Sequence, residues 1–185
     1  GGCIVDVVDE ILSQNSRAAG LAIHWHVFGS NGQEKADYSR GVLERFTRRA
    51  PTEWYVPTNK IGDMPVHGNC FVKPFFNPRR TYWIRSPHYV NFFLGFSTVN
   101  EDLKPANGAV PLPIVTNKIV VNHYHCKSLE EYRTKCNRGD AINNDSAKHY
   151  NDERFSATDH NEEFDDGILK YRDARAKIYH GPGFR

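Results

Sequence analysis

Nowhere does this 185-residue chain hold an apolar run approaching the roughly 18 residues of a membrane span, so no transmembrane helix is expected. Its opening, "GGCIVDVVDEIL", lacks both the basic start and the unbroken apolar core of a signal peptide, and the chain reads as intracellular and cytoplasmic. The four cysteines, Cys3, Cys70, Cys126 and Cys136, form no CxxC pair, so free thiols are expected. Neither sign of charge dominates: 24 Lys and Arg stand against 22 Asp and Glu, net +2, which excludes a general nucleic-acid surface. The basic stretch "RRTYWIR" is too short to restore that reading, and no nucleic-acid partner is expected. Internal repeats and low-complexity tracts are also absent.

What remains is an ordinary globular composition, 39% hydrophobic and 25% charged, long enough for a single domain with a real core. In "CIVDVVDEILSQ" the residues Ile4, Val7, Val8, Ile11 and Leu12 recur at helical spacing and leave Asp6, Asp9 and Glu10 off the stripe, which predicts an amphipathic helix. "GLAIHWHVFGSNG" alternates instead, with Leu21, Ile23, Trp25 and Val27 on one face and Ala22, His24, His26 and Phe28 on the other. It reads as a strand entering a Gly-Ser-Asn-Gly turn. "GVLERF", residues 41 to 46, is a second short strand candidate. Six prolines between Pro51 and Pro87 then argue against any long helix.

Nine aromatics crowd residues 71 to 96, suited to core and short strands and also to the flat platforms on which sugar rings stack. "NKIVVNHYHC" reads as a strand with Ile119, Val121, His123 and His125 on one face. Ser128-Leu-Glu-Glu131 follows as a capping box, and Leu129, Tyr132 and Cys136 continue at helical spacing to Gly139. Lys127 is thereby placed where a strand hands over to a helix N-terminus, whose amides and dipole favour anions. "NEEFDDGILKYRDARAKIYH" predicts a C-terminal helix over about 161 to 178, with Phe164, Ile168, Tyr171 and Ile178 as its stripe.

Three chemistries fit "VVNHYHCKSLEEYRTKCNRGDA". Histidines and cysteines suit zinc, but Cys126 points away from His123 and His125, and the spacing matches no zinc motif. A second possibility makes His123 one ligand of a divalent ion, with Lys127 and the helix N-terminus holding a diphosphate beside it, as departure of a nucleoside diphosphate requires. In the third, the run is only a strand feeding a helix.

Taken in order, "HWHVFGSNG", "GVLERFTRRA", "SPHY" and "VVNHYHCKSLEEYRTKCNRGDA" resemble the glycosyltransferase family 92 and family 2-like proteins of bacterial polysaccharide gene clusters, over about residues 21 to 141, and the C-terminal tail is similar too. The resemblance implies an α/β fold: the C-terminal half of a GT-A type fold, a mixed sheet with flanking helices. The implied organisation is one domain over 1 to 185, with a strand and loop core at 21–126, a helix at 128–138 and the C-terminal helix. It further implies a metal-dependent, inverting transfer from a nucleotide-diphosphate sugar, UDP-sugar favoured, to a glycan acceptor. On this resemblance His123 would bind Mn²⁺ or Mg²⁺, and Lys127, Ser128 and Arg138 would contact the donor diphosphate. Trp25, Phe28, Gly29, Ser30 and His88 would line the sugar or acceptor wall, and Glu44 would act as general base.

The family's upstream aspartate motif, of the "DxDEF" sort, is missing before residue 21. A half-enzyme is therefore expected, with little or no transfer activity by itself and a tendency to self-associate. A non-enzymatic carbohydrate-binding or interaction module is the competing class.

Overall fold

The computed structural model describes residues 3–57, 66–138 and 151–171. It is mixed α/β, and its chain divides into two compact units, Gly1–His26 with Pro51–His123, and Val27–Ala50 with Tyr124–Arg185. The continuous core expected over 21–126 is thus shared between them.

The first unit is built on a four-stranded mixed sheet. Strand β1 (Ala18–Val27) pairs antiparallel with β5 (Val72–Phe76), parallel with β8 (Ser97–Val99), and also with β9 (Val121–His123). Every residue of β1 is buried, so both of its faces are covered. On one face Leu21 and Ile23 pack with Val8 and Ile11 of helix α1 (Ile4–Leu12), joined by Ile119 and Val121. On the other, Ala22 packs with Val72 and Ala106. The predicted alternation and helical stripe meet here, and full burial of each such aliphatic side chain contributes about 1.5–3 kcal/mol. Gly20 is glycine for close approach: a Cβ there would lie 2.9 Å from the Phe92 ring. The proline-rich stretch forms short hairpins, β3 (Tyr55–Pro57) with β4 (Val66–Gly68) and β6 (Thr81–Ser86) with β7 (Tyr89–Phe92).

In the second unit, helix α3 (Leu129–Arg138) contacts helix α4 (Asp152–Thr158), with Tyr132 edge-on to Phe155 at 5.1 Å. A two-stranded ladder joins β2 (Arg48–Arg49) to β10 (Glu163–Phe164), and Arg49 pairs with Glu163 at 2.8 Å and Asp165 at 2.9 Å.

Three expected elements come out differently. "GVLERF" holds a short helix, α2 (Val42–Arg45), because Glu44 reaches back to accept from the Gly41 N–H at 3.2 Å. A six-residue run is too short for its period to separate strand from helix. The strand expected over 117–126 shrinks to Val121–His123, since the buried Glu101 carboxylate takes the N–H groups of Asn117 (2.6 Å), Lys118 and Ile119 (both 3.1 Å). Amides spent on a carboxylate cannot join a ladder. Finally, the described part of the expected C-terminal helix is β10 followed by a 3₁₀ turn over Gly167–Tyr171, with Phe164 exposed where a core stripe was expected. Residues 172 to 178 lie outside the described residues.

Candidate functional site

Strand alternation continues past the core of the first unit into a cluster of rings. Beyond Leu21 and Ile23, the same face of β1 carries Trp25, and beyond Val121 the same face of β9 carries His123. Their rings stack at 4.1 Å and 13°. Phe71 stacks on Trp25 at 5.3 Å and 27°, His88 meets it edge-on at 5.5 Å, and the Lys73 ammonium stands 5.7 Å from its centroid. Trp25 Nε1 donates to the Gly68 carbonyl at 2.8 Å, and the indole is only 9% exposed. Gly68 has φ +117°, and a Cβ there would come within 2.6 Å of Trp54 and Tyr55 backbone, so only glycine holds that carbonyl in place.

His88 and His123, from "SPHY" and "NHYHC", thus lie against Trp25, although the indole itself is enclosed and offers no free face for a sugar. His88 sits in the turn between β6 and β7, where its Nδ1 hydrogen-bonds the Val72 carbonyl at 2.9 Å. Burial, opposed by that bond and aided by nearby Lys73, lowers its pKa. His24, on the opposite face of β1, is wholly buried. Its Nδ1 accepts from the Val115 N–H at 3.4 Å, which leaves Nε2 to donate to the Pro111 carbonyl at 2.9 Å. Burial lowers its pKa as well.

Both imidazoles resist protonation in the fold more than in the unfolded chain. They contribute stability that is present above the ordinary imidazole range and lost as the pH falls through their lowered folded values. Thermal unfolding between about pH 7 and pH 5 should show falling stability, and His88→Asn should flatten part of that slope. An unchanged slope in the variant would remove His88 from the account.

The second unit gathers the other motifs. The "FGSNG" loop is held by the 159–161 segment: Ser30 donates from N and Oγ to the Asp159 carboxylate at 2.5 and 2.8 Å, and the Asn31 N–H donates to Asn161 Oδ1 at 2.7 Å. A Cβ on Gly29 would collide with the His160 carbonyl and Asn161. Phe28 is fully buried, 4.8 Å from the Tyr124 ring. Phe28, Gly29 and Ser30 are therefore core and loop anchors, not the sugar wall expected of them.

The N-terminus of α3 is equally occupied. Leu129 N–H donates to the Gln33 carbonyl at 3.1 Å, Glu130 N–H to the Glu34 carbonyl at 3.0 Å, and Glu131 N–H to Ser128 Oγ at 3.3 Å. Ser128 is buried and its hydroxyl donates to Glu131 at 2.7 Å, so the capping box forms as its spacing predicts. Those contacts consume the amides that a diphosphate would use. Lys127, in a left-handed conformation at φ +56°, is half-buried. Arg138, at the far end of the ten-residue helix, lies about 14 Å from Leu129 along its axis, so it cannot join Lys127 and Ser128 on one phosphate.

Glu44 is half-buried, with one oxygen on Gly41. Its neighbour Arg45 makes an ion pair, reaching Glu131 with two bonds, at 3.2 and 2.6 Å. Sequence reading missed this pair along with Phe71, Lys73, Asp159 and Asn161. Their partners lie far along the chain, and no local spacing announces them.

Among the described residues, no three His, Cys, Asp or Glu side chains are grouped to hold a metal ion. A zinc site at His123, His125, Cys126 and Cys136 is not formed there. Cys126 instead contacts the Thr158 hydroxyl at 3.4 Å, and burial pushes its thiol up to about 11. A Mn²⁺ or Mg²⁺ ion at His123 would need its remaining ligands from outside the described residues. No described helix is long and apolar enough to cross a membrane. No family model matches the chain, and no curated protein or solved structure does.

Proposed function

We propose that the chain is the acceptor-side portion of a glycosyltransferase that moves a sugar from a nucleotide-diphosphate donor to a glycan acceptor. The observation that carries this reading is convergence: "HWH", "SPHY" and "NHYHC" supply the rings around Trp25, while "FGSNG", "LERF" and "CKSLEE" lock together through Gln33, Arg45 and Glu131. Motifs far apart in the chain interlock within each unit, which supports reading them as built features and not as chance similarities. Within the first unit His123 is then the candidate for donor binding, and within the second Lys127, since Ser128 and the α3 amides are spent. Glu44 would take the proton of the acceptor hydroxyl as general base. A divalent ion bound at His123 would neutralise charge on the donor diphosphate, with its remaining ligands from outside the described residues.

The test is a thermal-shift titration of this chain with uridine diphosphate, with and without Mn²⁺, beside His123→Ala. Saturation to about 100 times the dissociation constant stabilises by roughly 2.7 kcal/mol, on the order of 5 °C for a chain of this size. A Mn²⁺-dependent shift, absent from His123→Ala, is the expected result. A cooperative melt that uridine diphosphate leaves unmoved in both conditions would remove the donor site from this chain.

A further inference from the structure

From Met64 to Asn100 the sequence runs 37 residues without an Asp or Glu, although the chain holds 22 of them, and in that span it places Lys73, Arg79, Arg80 and Arg85. A near-neutral protein therefore carries an acid-free cationic stretch, and the first unit folds it into the β5 and β6–β7 region. After β7 the chain makes a tight turn, Phe93-Leu94-Gly95-Phe96, closed by the Phe96 N–H on the Phe93 carbonyl at 3.1 Å, with Gly95 at φ +93° in its third position. This type II geometry puts Leu94 at the outer corner, where turns ordinarily carry proline or a polar residue. Leu94 is fully exposed. Phe93 is 51% exposed and meets Tyr82, 71% exposed, edge-on at 5.8 Å.

Cations stand directly behind this apolar corner. The Phe93 N–H donates to the Arg80 carbonyl at 3.0 Å, which ties the turn to the Arg79-Arg80 pair. Arg80 is structural: its guanidinium lies 4.6 Å from the Phe96 centroid and donates to the Ser16 carbonyl at 2.9 Å, which stiffens the turn. Arg79 is exposed, and so is Arg17, whose carbonyl accepts from the Ser97 N–H just past the turn.

We propose that the Phe93–Phe96 turn is a docking element for an anionic phospholipid surface, with Leu94 and Phe93 entering the acyl boundary, Tyr82 at headgroup level, and Arg79 and Arg17 on lipid phosphates. The inference does not rest on the transfer reading. Three features favour a bilayer over a protein groove. The apolar residues form a projecting corner, aliphatic at its apex, where an aromatic platform for sugars would be flat. Aliphatic tip, aromatic flank and arginine base follow the order in which a bilayer changes from hydrocarbon to headgroup. And the segment excludes every acid, as approach to a negative surface demands and contact with a neutral partner does not.

Vesicle flotation of the full chain tests it, using phosphatidylcholine alone and with about 30 mol% phosphatidylglycerol. Binding to the anionic vesicles is expected. It should fall about ten-fold in Leu94→Asp, the change that losing one buried leucine brings, and several-fold in Arg79→Glu or at high salt. Both side chains are exposed, so circular dichroism melts of the variants should match the parent. Failure of the folded chain to float, equal binding to neutral vesicles, or undiminished binding of Leu94→Asp would each overturn the proposal. So would light scattering that shows a dimer dissociated by Leu94→Asp, which would assign the turn to a second copy of this chain.

Discussion

Arg45→Ala should cost about 3–5 kcal/mol of unfolding free energy, measured by chemical denaturation of the purified chain. The Arg45 side chain is 2% exposed and its partner Glu131 11%, so removing the guanidinium leaves a carboxylate out of water with its counter-charge gone. Further contacts are lost with it: Arg45 Nε donates to Gln33 Oε1 at 3.3 Å, and the guanidinium lies 4.6 Å from the Phe46 centroid. Gln33 matters because its carbonyl caps α3 and its Nε2 donates to the Arg45 carbonyl at 2.7 Å. Loosening one side chain therefore reaches the "FGSNG" loop, helix α2 and the start of α3 together.

Replacing both partners, Arg45→Met with Glu131→Gln, should cost less than Arg45→Ala, because no unpaired charge remains and Gln still completes the capping box with Ser128. Single and double variants that lose equal stability would show that packing around Arg45, not its charge, is what matters. Acid should reproduce the effect. Burial raises the pKa of Glu131, but the bonds from Arg45 and Ser128 outweigh it and hold the carboxyl below its ordinary range. Its stabilisation is present above that range and fades as the pH falls through the depressed folded value.

Local pattern made part of this legible. Helix α1, strand β1 and the capping box of α3 depend on neighbours within one turn or on strand alternation, and the side chains supply that signal directly. The face shared by Ile119, Val121 and His123 also follows from alternation, which is why His123 could be aimed toward the β1 core face. The strand's start could not, because Glu101 captures three amides from sixteen to eighteen residues away. The anion-binding reading of Ser128 failed for a related reason. A helix N-terminus in a sequence has free amides; in the fold, Gln33 and Glu34 supply carbonyls to them from a loop nearly a hundred residues earlier. Trp25 shows the same limit from the other side. Its alternation revealed the face it occupies but not that Phe71, His88 and His123 would enclose it.

That enclosure makes Trp25→Ala the second substitution with a large effect, a loss of about 3–5 kcal/mol. Two terms add. Removing the indole takes away the ring against which Phe71 and His123 stack, at 5.3 and 4.1 Å. It also leaves the Gly68 carbonyl without the 2.8 Å bond from Nε1, at a position whose backbone is fixed by its close approach to Trp54 and Tyr55. Trp25→Phe keeps a ring in the stack and loses chiefly the hydrogen bond, so it should cost clearly less than the alanine. A sugar platform would behave otherwise: both variants would weaken glycan binding while melting near the parent. Graded loss of stability, alanine well beyond phenylalanine, with His88 altered in its titration, is the signature of an indole that positions the His88 and His123 imidazoles. Through them, not through contact of its own, Trp25 would influence any ligand that the cluster accepts.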